Sequence, residues 1–247
     1  MALVLEYDGT AYAGWQRQPN VPTIQAAVEE ALASLVQAPC PVVGAGRTDA
    51  GVHALGQVAH FTTASALPLD RIHNGLNALL PHDIVVRHAA EVAPDFHARR
   101  DARLRVYRYA VLARPRPSAL LRRYAYHVAG SLNLEAMQAG AGALIGQHDF
   151  AAFRVTGTST RSTVCTVRAA RLERRKDLVI VTVAADRFLR QMVRRIVGTL
   201  LAIGRGALPP EAIGQILASK DNQQAGPPAP AHGLYLARVV YTPDRLP

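Results

Sequence analysis

The sequence predicts an α+β fold made of two halves with one succession of elements, β-α-β-β-α-β, each half on an antiparallel sheet. Three observations predict it. Apolar runs of strand length alternate with amphipathic stretches of helical period, the first hundred residues run through the whole succession once, and a similar one begins again near residue 104. No sequence repeat links the halves, so the duplication rests on element order. The 247 residues, 49% of them hydrophobic, are ample for the cores this requires.

Ala2 to Tyr7 is a short apolar run stopped by Asp8-Gly9, a strand entering a turn. Thr23 stands as an N-cap before Ala26, Ala27, Leu32 and Leu35, with Glu29 and Glu30 between them, which predicts an amphipathic helix. Pro41 to Ala45 and Gln57 to Thr63 are strands flanking a glycine-rich loop. Leu69 to Leu80 is a helix stopped by Pro81, and Ile84 to Ala89 a strand. In the second half, Leu104 to Leu112 alternates as a strand and RPRPSALLRR (114–123) is a proline-interrupted basic loop. Leu134 to Leu144 is a helix, and Val164 to Glu173 and Leu178 to Ala185 form a hairpin turned at Arg174 to Asp177. Arg187 to Ile203 is a long helix, Glu211 to Leu217 a shorter one, and Leu234 to Tyr241 a closing strand after a loop rich in Ala, Gly and Pro. The element order is the split βαβ pattern of ferredoxin-like folds, and it predicts domains of residues 1–100, carrying the glycine-rich loop, and 101–247.

The net charge of +10 rests almost entirely on arginine, Lys176 and Lys220 being the two lysines. Guanidinium forks suit bidentate contact with phosphate, so the charge points to a polyanionic partner, nucleic acid before membrane; a solvated basic surface is the alternative. Cys40 and Cys165 are far apart and form no C-x-x-C pair, and the nine histidines show no ligand spacing, so neither a disulfide nor a metal site is expected. With no apolar segment of membrane-spanning length, the expectation is a soluble, cytoplasmic protein.

Three stretches carry candidate chemistry. In VGAGRTDAGVHALGQVAHF (43–61), Arg47 and Asp49 lie between Gly46 and Gly51, in a loop that interrupts a strand. An Asx turn with an Arg-Asp pair is one reading. The other is a carboxylate on a rigid turn, kept ionised by a neighbouring guanidinium, able to act as nucleophile or base. The D-G-T of YDGTAYAGWQRQ (7–18) is shared with haloacid-dehalogenase phosphatases, but Glu6 stands where their nucleophilic Asp would be, and that reading fails. A turn with Asp8 bonded to its own backbone remains, with Trp15 and Gln16 either touching a base or packing. In RLRVYRYAV, Tyr107 and Tyr109 share a strand register with Arg103 and Arg105, which suits base stacking beside phosphate contacts, or a half-buried strand. Arg187, Arg190, Arg194 and Arg195 fall opposite the apolar stripe of the long helix and, with the basic loop and Arg105 and Arg108, outline a track for an RNA backbone.

Together with LNALLPHDIVV (76–86), DFHARRDARLRVYRY (95–109), GQHDFAAFR (146–154), DRFLRQMVRRIVG (186–198) and GLYLARVVY (233–241), these motifs resemble, in order and spacing, the tRNA pseudouridine synthase A family. The resemblance runs nearly end to end, and GRTDAGVHA is its most specific part; the loop of Thr156 to Ser162 is a place where family members differ in length. It implies an enzyme that isomerises uridine to pseudouridine at positions 38, 39 and 40 of the tRNA anticodon stem-loop, using no cofactor and no metal. It also implies two ferredoxin-like halves around a central cleft and a homodimer acting on tRNA, not on DNA or a membrane. By the same resemblance Asp49 is the catalytic nucleophile, attacking C1′ of the ribose or C6 of the base or promoting a glycal-like elimination. Arg47 pairs with that carboxylate and enters the stem as the base flips out, Tyr107 stacks on the uracil, and Leu234 lines its other side. Flipping a base out of a stem costs a few kcal/mol, which stacking and phosphate contacts offset. The alternative of another class is a non-catalytic basic tRNA-binding protein, which explains the charge but gives no role to a carboxylate on a rigid loop.

Overall fold

The computed structural model describes residues 1–155, 162–243 and 245; the loop of 156–161 discussed above lies outside the described residues. The fold is mixed α+β, with mostly antiparallel strands and five α-helices among the described residues. The chain divides into two compact units, one of Met1–Leu104 with the strand from Tyr235 onward, the other of Arg105–Leu234.

In chain order the first unit holds β1 (Ala2–Tyr7), α1 (Ile24–Val36), β2 (Val43–Gly44), β3 (His53–His60), α2 (Leu69–Leu79) and β4 (Ile84–Ala90). The second holds β5 (Leu104–Ala113), β6 (Tyr126–Val128), α3 (Leu134–Gly142), β7 (Gly146–Asp149), β8 (Val164–Arg175), β9 (Leu178–Ala185), α4 (Met192–Gly204) and α5 (Ala212–Ser219). The last strand, β10 (Leu234–Val240), belongs to the first unit from Tyr235 on.

In the first unit β1 is central, antiparallel to β3 on one side (Leu3↔Ala59) and to β4 on the other (Leu3↔Ala89). The far edge of β3 carries β2 at one end, antiparallel, and β10 at the other, parallel through Tyr235↔His53 and Leu236↔Ala54. Thr23 caps α1 as expected, accepting the Ala26 N–H at 3.3 Å. Ile24, Val28, Ala31 and Leu32 form the buried stripe of α1, and Ile72 and Leu76 that of α2. Asn77 ties α2 to β4, its amide donating to the Val86 carbonyl and accepting the Val86 N–H.

In the second unit β9 lies between β5 (Tyr107↔Val183) and β8, with β7 outside β8 and β6 parallel to β5. The β8–β9 hairpin closes at Arg175↔Leu178, with Lys176 at φ +57° in its two-residue turn. Tyr109, Met137, Phe150, Phe153, Ile196 and Leu200 are fully buried in this unit.

Several elements differ from expectation. The strand expected from Gln57 already starts at His53, because Ala54 pairs with Tyr7 on one side and Leu236 on the other. The strand expected over 41–45 is limited to Val43–Gly44. The helix expected from Arg187 starts at Met192, since Gln191 takes φ +58° and breaks the helical path. The short strands β6 and β7 come as additions. The closing strand, expected within 101–247, is drawn to the first unit by its pairing with β3.

Candidate active site

The loop between β2 and β3 is held at six points. Entering it, the Ala45 N–H donates to the Val58 carbonyl at 2.7 Å, and the Gln57 side chain donates to the Gly46 carbonyl at 2.6 Å. At its centre the Thr48 carbonyl accepts the Trp15 N–H at 3.0 Å, while the buried Thr48 hydroxyl meets the Tyr7 hydroxyl at 2.8 Å. Leaving it, the Val52 N–H returns to the Asp49 carbonyl at 3.1 Å and the Gly51 N–H reaches the Tyr12 carbonyl at 3.3 Å. Gly51 takes φ +75° at the third position of that turn, a conformation strained for any residue with a Cβ. Asp49 is therefore a half-buried carboxylate on a backbone fixed on both sides of it.

The bed of the loop is the YDGTAYAGWQ segment. Tyr7, Tyr12 and Trp15 supply three of the six anchors, and Gly14, at φ +99°, lets the chain pass so close that a Cβ there would sit 2.5 Å from the Thr48 carbonyl. Trp15 is buried, its indole packed on Gly44, so it supports the loop and does not offer a ring to a base. Gln16 donates to Gln25 at the start of α1. Asp8 accepts the Thr10 N–H at 2.9 Å, the self-bonded turn expected of it. His53 is buried against the same turn: its Nδ1 accepts the Gly9 N–H at 3.1 Å and its ring stacks on Tyr235 at 4.9 Å. Nδ1 also lies 3.1 Å from Asp8 Oδ1.

Arg47 is exposed and Asp49 is half-buried.

Tyr107 and Leu234 belong to the second unit. Tyr107 is buried, with the Phe188 ring edge-on at 4.9 Å. Tyr109 shares its register but is a core residue, its hydroxyl donating to the Pro230 carbonyl at 2.8 Å, and burial pushes its pKa upward. Leu234 is buried where the chain enters β10. The arginine track shrinks. Arg105 donates to the Asp186 carbonyl, Arg194 to the Ala229 carbonyl, and Arg195 to the Asn222 and Ala225 carbonyls, so these guanidinium groups fasten loops. Burial lowers the pKa of Arg195. Arg108, Arg116, Arg187 and Arg190 are exposed.

Sequence reasoning missed Tyr7, Tyr12, Gly14 and Gln57 as parts of this site. One signal was available: a glutamine inside an apolar strand run, six residues past the glycine that closes the loop.

The chain matches the family model of tRNA pseudouridine synthase over residues 3–101 and 141–242. It is 48% identical over 242 residues to tRNA pseudouridine synthase A of Syntrophotalea carbinolica, covering 98% of this chain and 96% of that protein. The protein of the same name from Acetivibrio thermocellus is 47% identical over 239 residues (97% of this chain, 98% of the relative), and that from Geobacter sulfurreducens 48% over 239 residues with the same coverage.

Proposed function

The chain belongs to the tRNA pseudouridine synthase family, and from that premise we propose that it isomerises uridine to pseudouridine at positions 38, 39 and 40 of the tRNA anticodon stem-loop, with Asp49 as the nucleophile. The observation that carries this reading is the six-point anchoring of one loop, which holds the Asp49 carboxylate at a fixed position. Preorganisation of this kind is worth little to a core and much to a reaction, where positional error of 1 Å costs about 100-fold in rate.

The reaction breaks the C1′–N1 bond, turns the uracil over and joins C5 to C1′; C5 gives up its proton and N1 gains one, so the change is a net isomerisation. Asp49 has three chemically balanced openings: attack at C1′, addition at C6, or removal of a ribose proton toward a glycal. Each requires the carboxylate ionised and the base out of its stack. In this reading Arg47 fills the gap left in the stem, Tyr107 stacks on the uracil, and Leu234 lines its other face. The exposed position of Arg47 supports its part, because a side chain that fills a stem must start in solvent. We further read the first unit as a ferredoxin-like half, on the strand order β4-β1-β3-β2, and the working form as a cytoplasmic homodimer.

The test is tritium release from tRNA labelled at uridine C5, with mapping of pseudouridine in the product. The wild type should release tritium and mark positions 38–40. Asp49→Asn and Asp49→Ala should lose product formation while binding tRNA within about threefold of wild type, since the lost group acts in the transition state. A wild type that binds tRNA but releases nothing would identify a binding protein instead.

A further inference from the structure

One of the six anchors is a buried polar side chain with no role of its own in the reaction as described so far. Gln57, on β3, is fully buried; its Nε2 donates to the Gly46 carbonyl at 2.6 Å, while its Oε1, also out of solvent, has no hydrogen-bond partner among the described residues. The amide's orientation follows from chemistry, since turning it over would set two oxygens against each other. An unsatisfied buried acceptor opposes folding, and a leucine at this position beside Val58 and Ala59 would carry no such penalty. Stability alone does not account for the amide, and the donor it presents to Gly46 does.

The strand is also bent to deliver that donor. Leu5 pairs with Gln57 and Tyr7 with Ala54, so the single residue Glu6 on β1 faces both Leu55 and Gly56 on β3. This is a β-bulge immediately before Gln57, and a bulge re-aims the side chains that follow it. The Gly46 carbonyl and the Arg47 N–H belong to one planar peptide, so a hydrogen bond on that oxygen sets the rotation of the peptide from which Arg47 departs. The other anchors act before this peptide, at Ala45, or after it, at Thr48, Asp49 and Gly51.

We propose that Gln57 is a positioning residue for the isomerisation: through the Gly46 carbonyl it aims Arg47 and fixes the near side of the loop that carries Asp49. The inference rests on the proposed reaction and concerns the rate of the step after tRNA has bound. Gln57→Leu removes the donor and the orphan acceptor together, and kcat should fall by about 30-fold or more with KM for tRNA within about threefold, as expected of lost positioning.

Gln57→Glu adds a readout that a merely structural role would not move. Ionised, the introduced carboxylate repels the Gly46 carbonyl. Protonated, it donates O–H to that carbonyl and keeps an oxygen at the Oε1 place. Burial raises the pKa of such a carboxyl, so kcat of this variant should rise as pH falls from 8 to 6, relative to wild type over the same range. Full-length protein and C5-tritiated tRNA serve for all three. Wild-type kcat in Gln57→Leu, or a Gln57→Glu profile parallel to wild type, overturns the inference. If wild type itself releases no tritium, the proposed reaction fails, a separate outcome.

Discussion

Replacing Gly14 with alanine tests whether the bed of the loop sets the rate. The added Cβ would lie 2.5 Å from the Thr48 carbonyl oxygen and 3.1 Å from the Asp49 carbonyl carbon, at a residue with φ +99°. Holding a non-glycine residue in that region costs about 1–3 kcal/mol. Overpacking adds about 1–3 kcal/mol if nothing moves. Relief requires the Thr48 carbonyl to retreat by about 0.9 Å, to ordinary contact near 3.4 Å, which stretches the Trp15 N–H bond it now accepts at 3.0 Å. Asp49 is the next residue and must move with it. A displacement of that size corresponds to about a 100-fold loss in kcat, and a residual strain near 3 kcal/mol to a Tm lower by roughly 6–12 °C. The assay is single-turnover tritium release at saturating tRNA, with melting followed by circular dichroism. Gly214→Ala, in α5 where a Cβ would meet nothing within 4 Å, is the control and should leave rate and Tm unchanged or slightly raised. If Gly14→Ala lowers Tm as expected but turns over within threefold of wild type, the loop's position does not govern the chemistry and the reasoning fails.

Tyr107→Phe should keep turnover within about threefold, because in the proposed reaction the ring supplies the stacking; a loss of two orders of magnitude would give the hydroxyl a proton-transfer part. Binding of tRNA should weaken linearly on a log-log plot against salt as arginines displace counterions, with slope about −0.7 to −0.9 per phosphate neutralised, and a flat response would remove the basic surface from the account. His60 accepts the Ala98 N–H at Nδ1, and burial first, then the neighbouring His97, lowers its pKa below 6.5. Because the folded value lies below the unfolded one, the unfolded chain binds the proton more readily, and stability falls as pH drops below about 6.5 and levels off once the folded value is passed. Melting temperatures between pH 7.5 and 5 read this directly. His60→Gln should flatten that part of the profile, and an unchanged slope would assign it to other groups.

What could be read from the sequence was what short-range physics decides. Thr23 caps a helix because its hydroxyl meets an N–H three residues on, and Asp8 closes a turn on Thr10 two residues on. The β8–β9 hairpin forms between neighbours in the chain, and glycines around Arg47 and Asp49 announce a loop without a core role. Pattern also placed α1, α2, α3 and α5 to within a few residues. The sequence therefore determined the class of elements, most of their order, and the glycine-bracketed loop that carries Asp49.

Only the tertiary structure decided what those pieces rest on. β10 joins β3 across nearly two hundred residues of chain, a pairing with no local signal. Arg194 and Arg195 look like a basic face by helical period, yet carbonyls 27 to 35 residues away claim them. Trp15 and Gly14 read as a loop motif, and only folding lays them under Thr48, where one needs a ring and the other needs no side chain. The common cause is distance along the chain: a hydrogen bond or a van der Waals contact between remote residues depends on where both segments end up, which no stretch of either one encodes. The loop that displays Asp49 was legible from its own nineteen residues, while its rigidity belongs to Tyr7, Tyr12, Gly14, Trp15 and the bulged strand that brings Gln57 to Gly46.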